Sequence, residues 1–408
     1  MSVHDGKDNA LSDTEQFAPE AVDRPQAVAA ASYLTMLSLT ISNIQPVVLG
    51  AIAIDYGFGD AKLGQMGSTF VAFLTLASLT APAWVRRVHW QRFSFVAILL
   101  FTGALVAGTQ VSSVIGLIAL FAVLGVLSAV VGAPGFASLG DTKTPDRNYG
   151  VSSIVQAIAA AIIVAPLMGY VVPNFGVHGL MISLALLMAS GLAACKWLPD
   201  TGKVADFLDD APHSGSIFVA RAVPAFLVLF AIGCFGAGLG GFWFYVERIG
   251  VWDGASPQAI GVTLSACSLV TILSSGIVVW LGGRISTLVF ILLGSLAMLA
   301  CFQLVLMRST DGFIAGNIFF SFGFGLAQPC YWGLLRKVDA TNRLFVAATA
   351  ASGAATVIAG LVAGPIIAAG GYPGLMAACS LIVAAGFAIA VLAARLARSS
   401  PETLASPA

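Results

Sequence analysis

The chain has 408 residues, of which 58% are hydrophobic and only 9% charged, and its mean hydropathy is +0.94. A soluble domain carries charge on about a quarter of its residues, so water is excluded as the main solvent. Nineteen basic residues balance nineteen acidic ones, which removes the basic surface that nucleic-acid binding requires.

In a bilayer core every backbone N–H and C=O must find a partner within the protein, so helices and closed barrels are the structures that can span it. The unbroken apolar runs select helices. The first 26 residues are polar, partly acidic and rich in turn formers, and are expected to form a disordered cytoplasmic tail. They lack the basic start and short apolar core of a cleaved signal, so the first span is expected to stay. Taking about 20 apolar residues per span, helices are predicted near 28–54, 61–84, 92–110, 113–138, 149–171 and 177–197. After the polar segment 198–216 (LPDTGKVADFLDDAPHSGS) six more follow, near 217–246, 257–282, 286–307, 312–335, 343–369 and 374–396. The expected organisation is a tail (1–26), a six-helix bundle (27–197), a cytoplasmic linker (198–216), a second six-helix bundle (217–397) and a cytoplasmic tail (398–408).

Cytoplasmic loops retain Lys and Arg. With the N-terminus inside, all nineteen basic residues except Lys62, Arg248 and Arg308 fall on the cytoplasmic side. Loss of one helix would scramble this alternation, so the bias supports an even number of spans with both termini inside.

The two halves resemble each other at a separation of about 195 to 199 residues. GVHGLM at Gly176 to Met181 returns as GYPGLM at Gly371 to Met376, Gly64 and Arg87 match Gly261 and Arg284, and Pro134 matches Pro329. Each half holds an even number of spans, so the copies share one topology, related by an axis along the membrane normal. With this layout the chain resembles the major facilitator superfamily over nearly its whole length. The superfamily's loop pattern after the second span, G-x-x-x-D-R-x-G-R-R, corresponds to AWVRRVHWQR (83–92), which keeps Arg92 but has Arg87 in place of the acid. Its copy after the eighth span, GIVVWLGGR (276–284), keeps Gly276, Gly283 and Arg284 and again lacks the acid. AIIVAPLMGY (161–170) and GLVAGPIIA (360–368) are similar to the G-x-x-x-G-P-x-x-G-G pattern that the superfamily associates with antiporters. The plainer reading of both is close helix packing at small residues and bending at Pro.

The resemblance implies an all-α membrane protein of twelve helices in two pseudo-symmetric bundles, working as a secondary transporter by alternating access. An efflux antiporter and a non-transporting sensor are alternatives on the same fold. Polar side chains are costly in a membrane and mark helices around a central path. The third, sixth, ninth and twelfth runs are almost uniformly apolar and read as peripheral. Asn43, Gln45, Gln156, Asn317 and Gln328 are candidate substrate contacts, because a buried carboxamide offers both donors and acceptors; hydrogen bonding between helices is the competing reading. Tyr33, Trp243, Tyr245, Tyr331 and Trp332 are candidates for stacking on an amphipathic or aromatic substrate, while Trp243 and Tyr245 also suit an interfacial aromatic belt. No Asp, Glu, Lys or Arg falls near the middle of a predicted span, so the expected substrate is a small neutral, weakly acidic or lipophilic organic molecule.

A proton is the expected coupling ion. Asp55, Glu247 and Arg248, closing the first and seventh spans, are candidates for a coupling cluster and outer gate. Arg87, Asp141, Arg147, Arg284 and Arg336 are candidates for an inner gate. Solvated loop charges are the competing reading of both sets. An enzyme would need a constellation inside the spans, yet all four histidines fall in tails or loops and no H-E-x-x-H occurs. Six singly scattered cysteines read as packing residues. No cofactor or metal is expected; the remaining expectations are a monomer in a bacterial inner membrane.

Overall fold

The computed structural model describes residues 21–201, 222–339 and 344–398. The expected tails up to residue 20 and beyond 398, and nearly all of the linker, lie outside the described residues. Those residues are almost entirely helical and contain no strand beyond one isolated bridge, Gly282 to Ile285.

Two helices are far too long for one crossing. Arg147–Cys195 has 49 residues and Ala347–Ala397 has 51, against the ~20 residues that cover the ~30 Å hydrocarbon layer. Each is broken at a glycine of the sequence repeat. Gly176 has φ 56 and ψ −151, and Gly371 has φ 63 and ψ −168. That backbone region is essentially closed to residues with a Cβ, so each glycine marks the turn between two spans. The first span is also broken: Pro25–Asn43 and Gln45–Tyr56 meet at 44°. Counting the bent pair once and the two long helices twice gives twelve spans.

The break in the first span has a chemical cause. Pro46 has no N–H and its ring crowds the carbonyl four residues earlier, that of Ser42. The seventh span breaks at the pseudo-equivalent place, between Ala222–Trp243 and Val246–Trp252, without a proline. Ile44 (φ −108, ψ 13) and Tyr245 (φ −113, ψ 4) share one non-helical conformation at the two breaks. The repeat extends to the helix starts: the Ser113 hydroxyl accepts from the Gly116 N–H at the fourth span, and that of Ser309 accepts from the Gly312 N–H at the tenth.

In the first half the first span packs on the fourth, fifth and sixth, and the third on the fourth and sixth. In the second half the eighth packs on the tenth and the ninth on the tenth, and the start of the ninth lies beside Ala394 and Ala397 of the twelfth. The halves meet chiefly where the second span lies along the eleventh and the fifth along the eighth. The outer surface is apolar, with Leu186, Phe230 and Leu381 more than 60% exposed, as expected when lipid is the solvent.

Candidate functional site

The two ends of the molecule differ. At the end carrying Asp60 the halves are in close contact. A Cβ on Gly64 would collide with the Gly360 carbonyl oxygen, and one on Gly364 with the Ala61 backbone. On the pseudo-equivalent pair of spans, a Cβ on Gly261 would lie 2.8 Å from Met168 and 3.3 Å from the Ala165 backbone. Small residues of both antiporter-like segments are therefore used for close approach between bundles, as the packing reading requires. Deeper, the Ser68 hydroxyl donates to the Val357 carbonyl at 2.9 Å. The contact continues to Thr75, against which a Cβ on Gly353 would collide, and beyond it, towards the end carrying Arg86, residues 78–80 of the second span are all exposed.

Between the halves lies a cavity of about 560 Å³ lined from the first, second, fifth, seventh, eighth, tenth and eleventh spans. The third, sixth, ninth and twelfth contribute nothing to it. Asn43, Gln45, Gln156 and Trp243 all line it. Gln45 donates to the Gly67 carbonyl at 3.0 Å and Gln156 to the Ser152 hydroxyl at 3.3 Å, while the Asn43 amide bonds to no described group. The Trp243 indole N–H donates at 3.3 Å to the Ser42 carbonyl, the acceptor released by Pro46. Trp243 lies parallel to Phe320, with centroids 6.4 Å apart and planes within 5°.

Tyr245 aside, five candidates are placed elsewhere. Tyr33 bonds to Ser190 at 2.6 Å on the sixth span. Asn317 is buried and donates to the Phe313 carbonyl of its own helix. Tyr331 packs on Phe235 inside the second bundle, and neither Gln328 nor Trp332 lines the cavity. Polarity shows that a side chain needs a partner but not on which helix face it finds one, which is why these five did not separate in the sequence. Tyr245 is fully buried and Trp243 faces the cavity, so neither belongs to an interfacial belt. Missed in the sequence were Phe244, Phe320 and Phe324, ordinary apolar residues there, which form much of the aromatic wall.

At the Asp60 end the expected charge cluster is rearranged. Asp55 is exposed, and its carboxylate accepts at 2.6 Å from the Val177 N–H, capping the sixth span just after the Gly176 turn. It therefore does not meet Arg248. The acid that does is Asp60, which opens the second span: Arg248 Nε lies 3.9 Å from Oδ1. The Tyr245 hydroxyl donates at 2.9 Å to the Asp60 carbonyl, and the Tyr372 hydroxyl at 3.5 Å to its carboxylate. Glu247 is only 1% exposed and lies against Gly50 of the first span, where any Cβ would collide with its carboxylate. The sequence expected a carboxylate at the outer mouth; the bend at Tyr245 turns this one inward, between the bundles.

At the Arg86 end, Arg86 forms a two-pronged pair with Asp141 at 2.8 and 3.1 Å. Asp141 is thus paired with Arg86, while Arg87, Arg147, Arg284 and Arg336 are exposed. This pair ties the second span to the fourth within one bundle.

Two bundles of six membrane-spanning helices, closed together at one end around a central cavity, define the transporter class of membrane fold. A family model described as Major Facilitator Superfamily matches residues 31–344, and the chain belongs to that superfamily. Solved structures of similar fold include the nucleoside transporter NupG, at 12% identity and TM-score 0.67 over 91% of this chain and 98% of that one. A point mutant of NupG gives 0.69 at 12% identity over 91% and 99% of the two chains. A bacterial homolog of the human lysosomal transporter Spinster, in an inward-facing and unoccupied conformation, gives 0.65 at 15% identity over 94% and 100%. No curated protein matches the chain by sequence.

Proposed function

We propose that this protein is a secondary active transporter that carries a small neutral, weakly acidic or amphipathic organic molecule by alternating access, driven by protons, as a monomer in a bacterial inner membrane. The observation that carries the reading is the central cavity between bundles whose close contacts run along the second and eleventh spans from the Asp60 end as far as Thr75 and Gly353. With both termini cytoplasmic, as the distribution of Lys and Arg favours, the closed Asp60 end faces outward and the cavity opens to the cytoplasm. The absence of any charged side chain among its lining residues favours a solute without a strong charge of its own.

Coupling is assigned to the closed end. Glu247 is buried between the first and seventh spans, with Arg248 and Asp60 as its charged neighbours. Separating the bundles there would give its carboxylate water, so its protonation and the closure of the outer gate are linked. Proteoliposomes carrying the protein, given a metabolite library under an imposed pH gradient, test the function; solute movement that collapses with the gradient is expected. Glu247→Gln and Asp60→Asn should each flatten the pH dependence of that flux, and an unchanged pH profile in both rejects the coupling assignment. Binding without flux would make the protein a sensor.

A further inference from the structure

Resting on the transporter reading above, we infer that the cavity is built for a flat, uncharged heteroaromatic molecule held with its ring on the second bundle and its polar edge on the first. The two walls are chemically unlike. The second bundle presents all of the lining aromatic rings, Trp243, Phe244, Phe320 and Phe324, alongside the smaller hydroxyl side chains of Ser268, Thr271, Ser321 and Thr356. The planes of Trp243 and Phe320 are parallel within 5° and those of Phe324 and Phe235 within 7°. Phe235 backs Phe324 from behind the lining, and aromatic side chains on a cavity wall can stack on another π-face without regard to its substituents.

The first bundle presents Asn43, Gln45 and Gln156. A carboxamide offers two donors and an acceptor with two lone pairs. The Asn43 amide is free of described partners, and Gln45 and Gln156 each donate a single described bond from the amide nitrogen. These groups can meet a ring edge that carries ring nitrogen, carbonyl or amino groups. An ion would need an opposite charge, which no lining residue supplies. About 560 Å³ suits one such small molecule.

The test uses the full chain in nanodiscs and a matched probe set read by calorimetry and thermal shift: nicotinamide and adenine as flat uncharged rings, cyclohexanecarboxamide as a saturated counterpart, and benzoate as a flat anion. At least one flat uncharged probe should bind about tenfold more tightly than both the saturated and the anionic probes. Trp243→Leu should remove most of that preference for flatness. Asn43→Ala and Gln156→Ala should weaken binding of the flat probes while leaving the preference in place. Failure of both flat probes to bind, or equal binding of the saturated one, overturns the inference. Solute flux in proteoliposomes separates this from the transporter reading. If solutes cross but are not flat heteroaromatics, the substrate class is wrong and the transporter stands; if flat probes bind and nothing crosses, the class stands and the transporter falls.

Discussion

Gly64 owes its importance to the absence of a side chain at one point of contact between bundles. Its Cβ position is filled by the Gly360 carbonyl and the Tyr245 hydroxyl, so a larger residue must push the second and eleventh spans apart. Overpacking of this kind costs about 1–3 kcal/mol, and ~1.4 kcal/mol shifts an equilibrium about tenfold. Gly64→Val should therefore fold, open the Asp60 end and raise by about tenfold or more the labelling rate of a cysteine placed at residue 68, where Ser68 is 1% exposed and bonds to Val357 across the bundles. Unchanged labelling would mean that this contact does not hold the end closed. Asp253, in the turn after the seventh span, offers a pH test. It is 4% exposed, both carboxylate oxygens are without a described hydrogen bond, and burial pushes its pKa up to about 6 against the pull of Arg308. A folded pKa above the ordinary ~3.9 favours folding most when the group is protonated. That stability is full below about pH 4 and is lost as pH rises through about 6. Asp253→Asn should thus melt a few degrees higher than the parent at pH 8, with the gap closing as pH falls to 4. A gap constant over that range would assign the effect to something other than charge.

Among the elements, the two turn glycines carry the boundary between spans. Gly371 sits at φ 63 and ψ −168 within otherwise continuous helix, and a Cβ there costs about 1–3 kcal/mol. Gly371→Ala should lower the melting temperature by several degrees, whereas Gly370→Ala, next to it and without a positive φ or a close neighbour, should not. Equal effects of the two would remove the conformational explanation. The repeat GVHGLM and GYPGLM was visible in the sequence as a similarity, and the turn gives its physical reason. The broken first span was less legible. Pro46 signals a freed carbonyl at Ser42, yet the donor that takes it, Trp243, is 201 residues away along the chain.

For the whole molecule, closure of one end is the property on which transport depends. Gln258 reaches the Gly169 carbonyl at 3.5 Å across the fifth and eighth spans. Cysteines at positions 169 and 258 on a cysteine-free background should cross-link, stop flux in proteoliposomes, and release it again on reduction. Flux that continues in the cross-linked protein would contradict alternating access through this end. The same property accounts for the position of Glu247, a carboxylate that reads as a loop residue and instead lies between the bundles.

What the sequence determined by itself is what the bilayer reads segment by segment: the number of spans, their order, the bias of basic residues and the peripheral character of every third helix. Each follows from the composition of a window of about twenty residues, and no distant contact is needed to establish it. Only the tertiary structure decided that Asp60 rather than Asp55 faces Arg248, that Arg86 rather than Arg87 holds Asp141, and that Asn43 and Gln156 share a cavity with Phe320 while Asn317 does not. These pairings depend on helix rotation and on backbone approach at glycines. Both are set by packing between segments far apart in the chain, and neither leaves a trace in local composition.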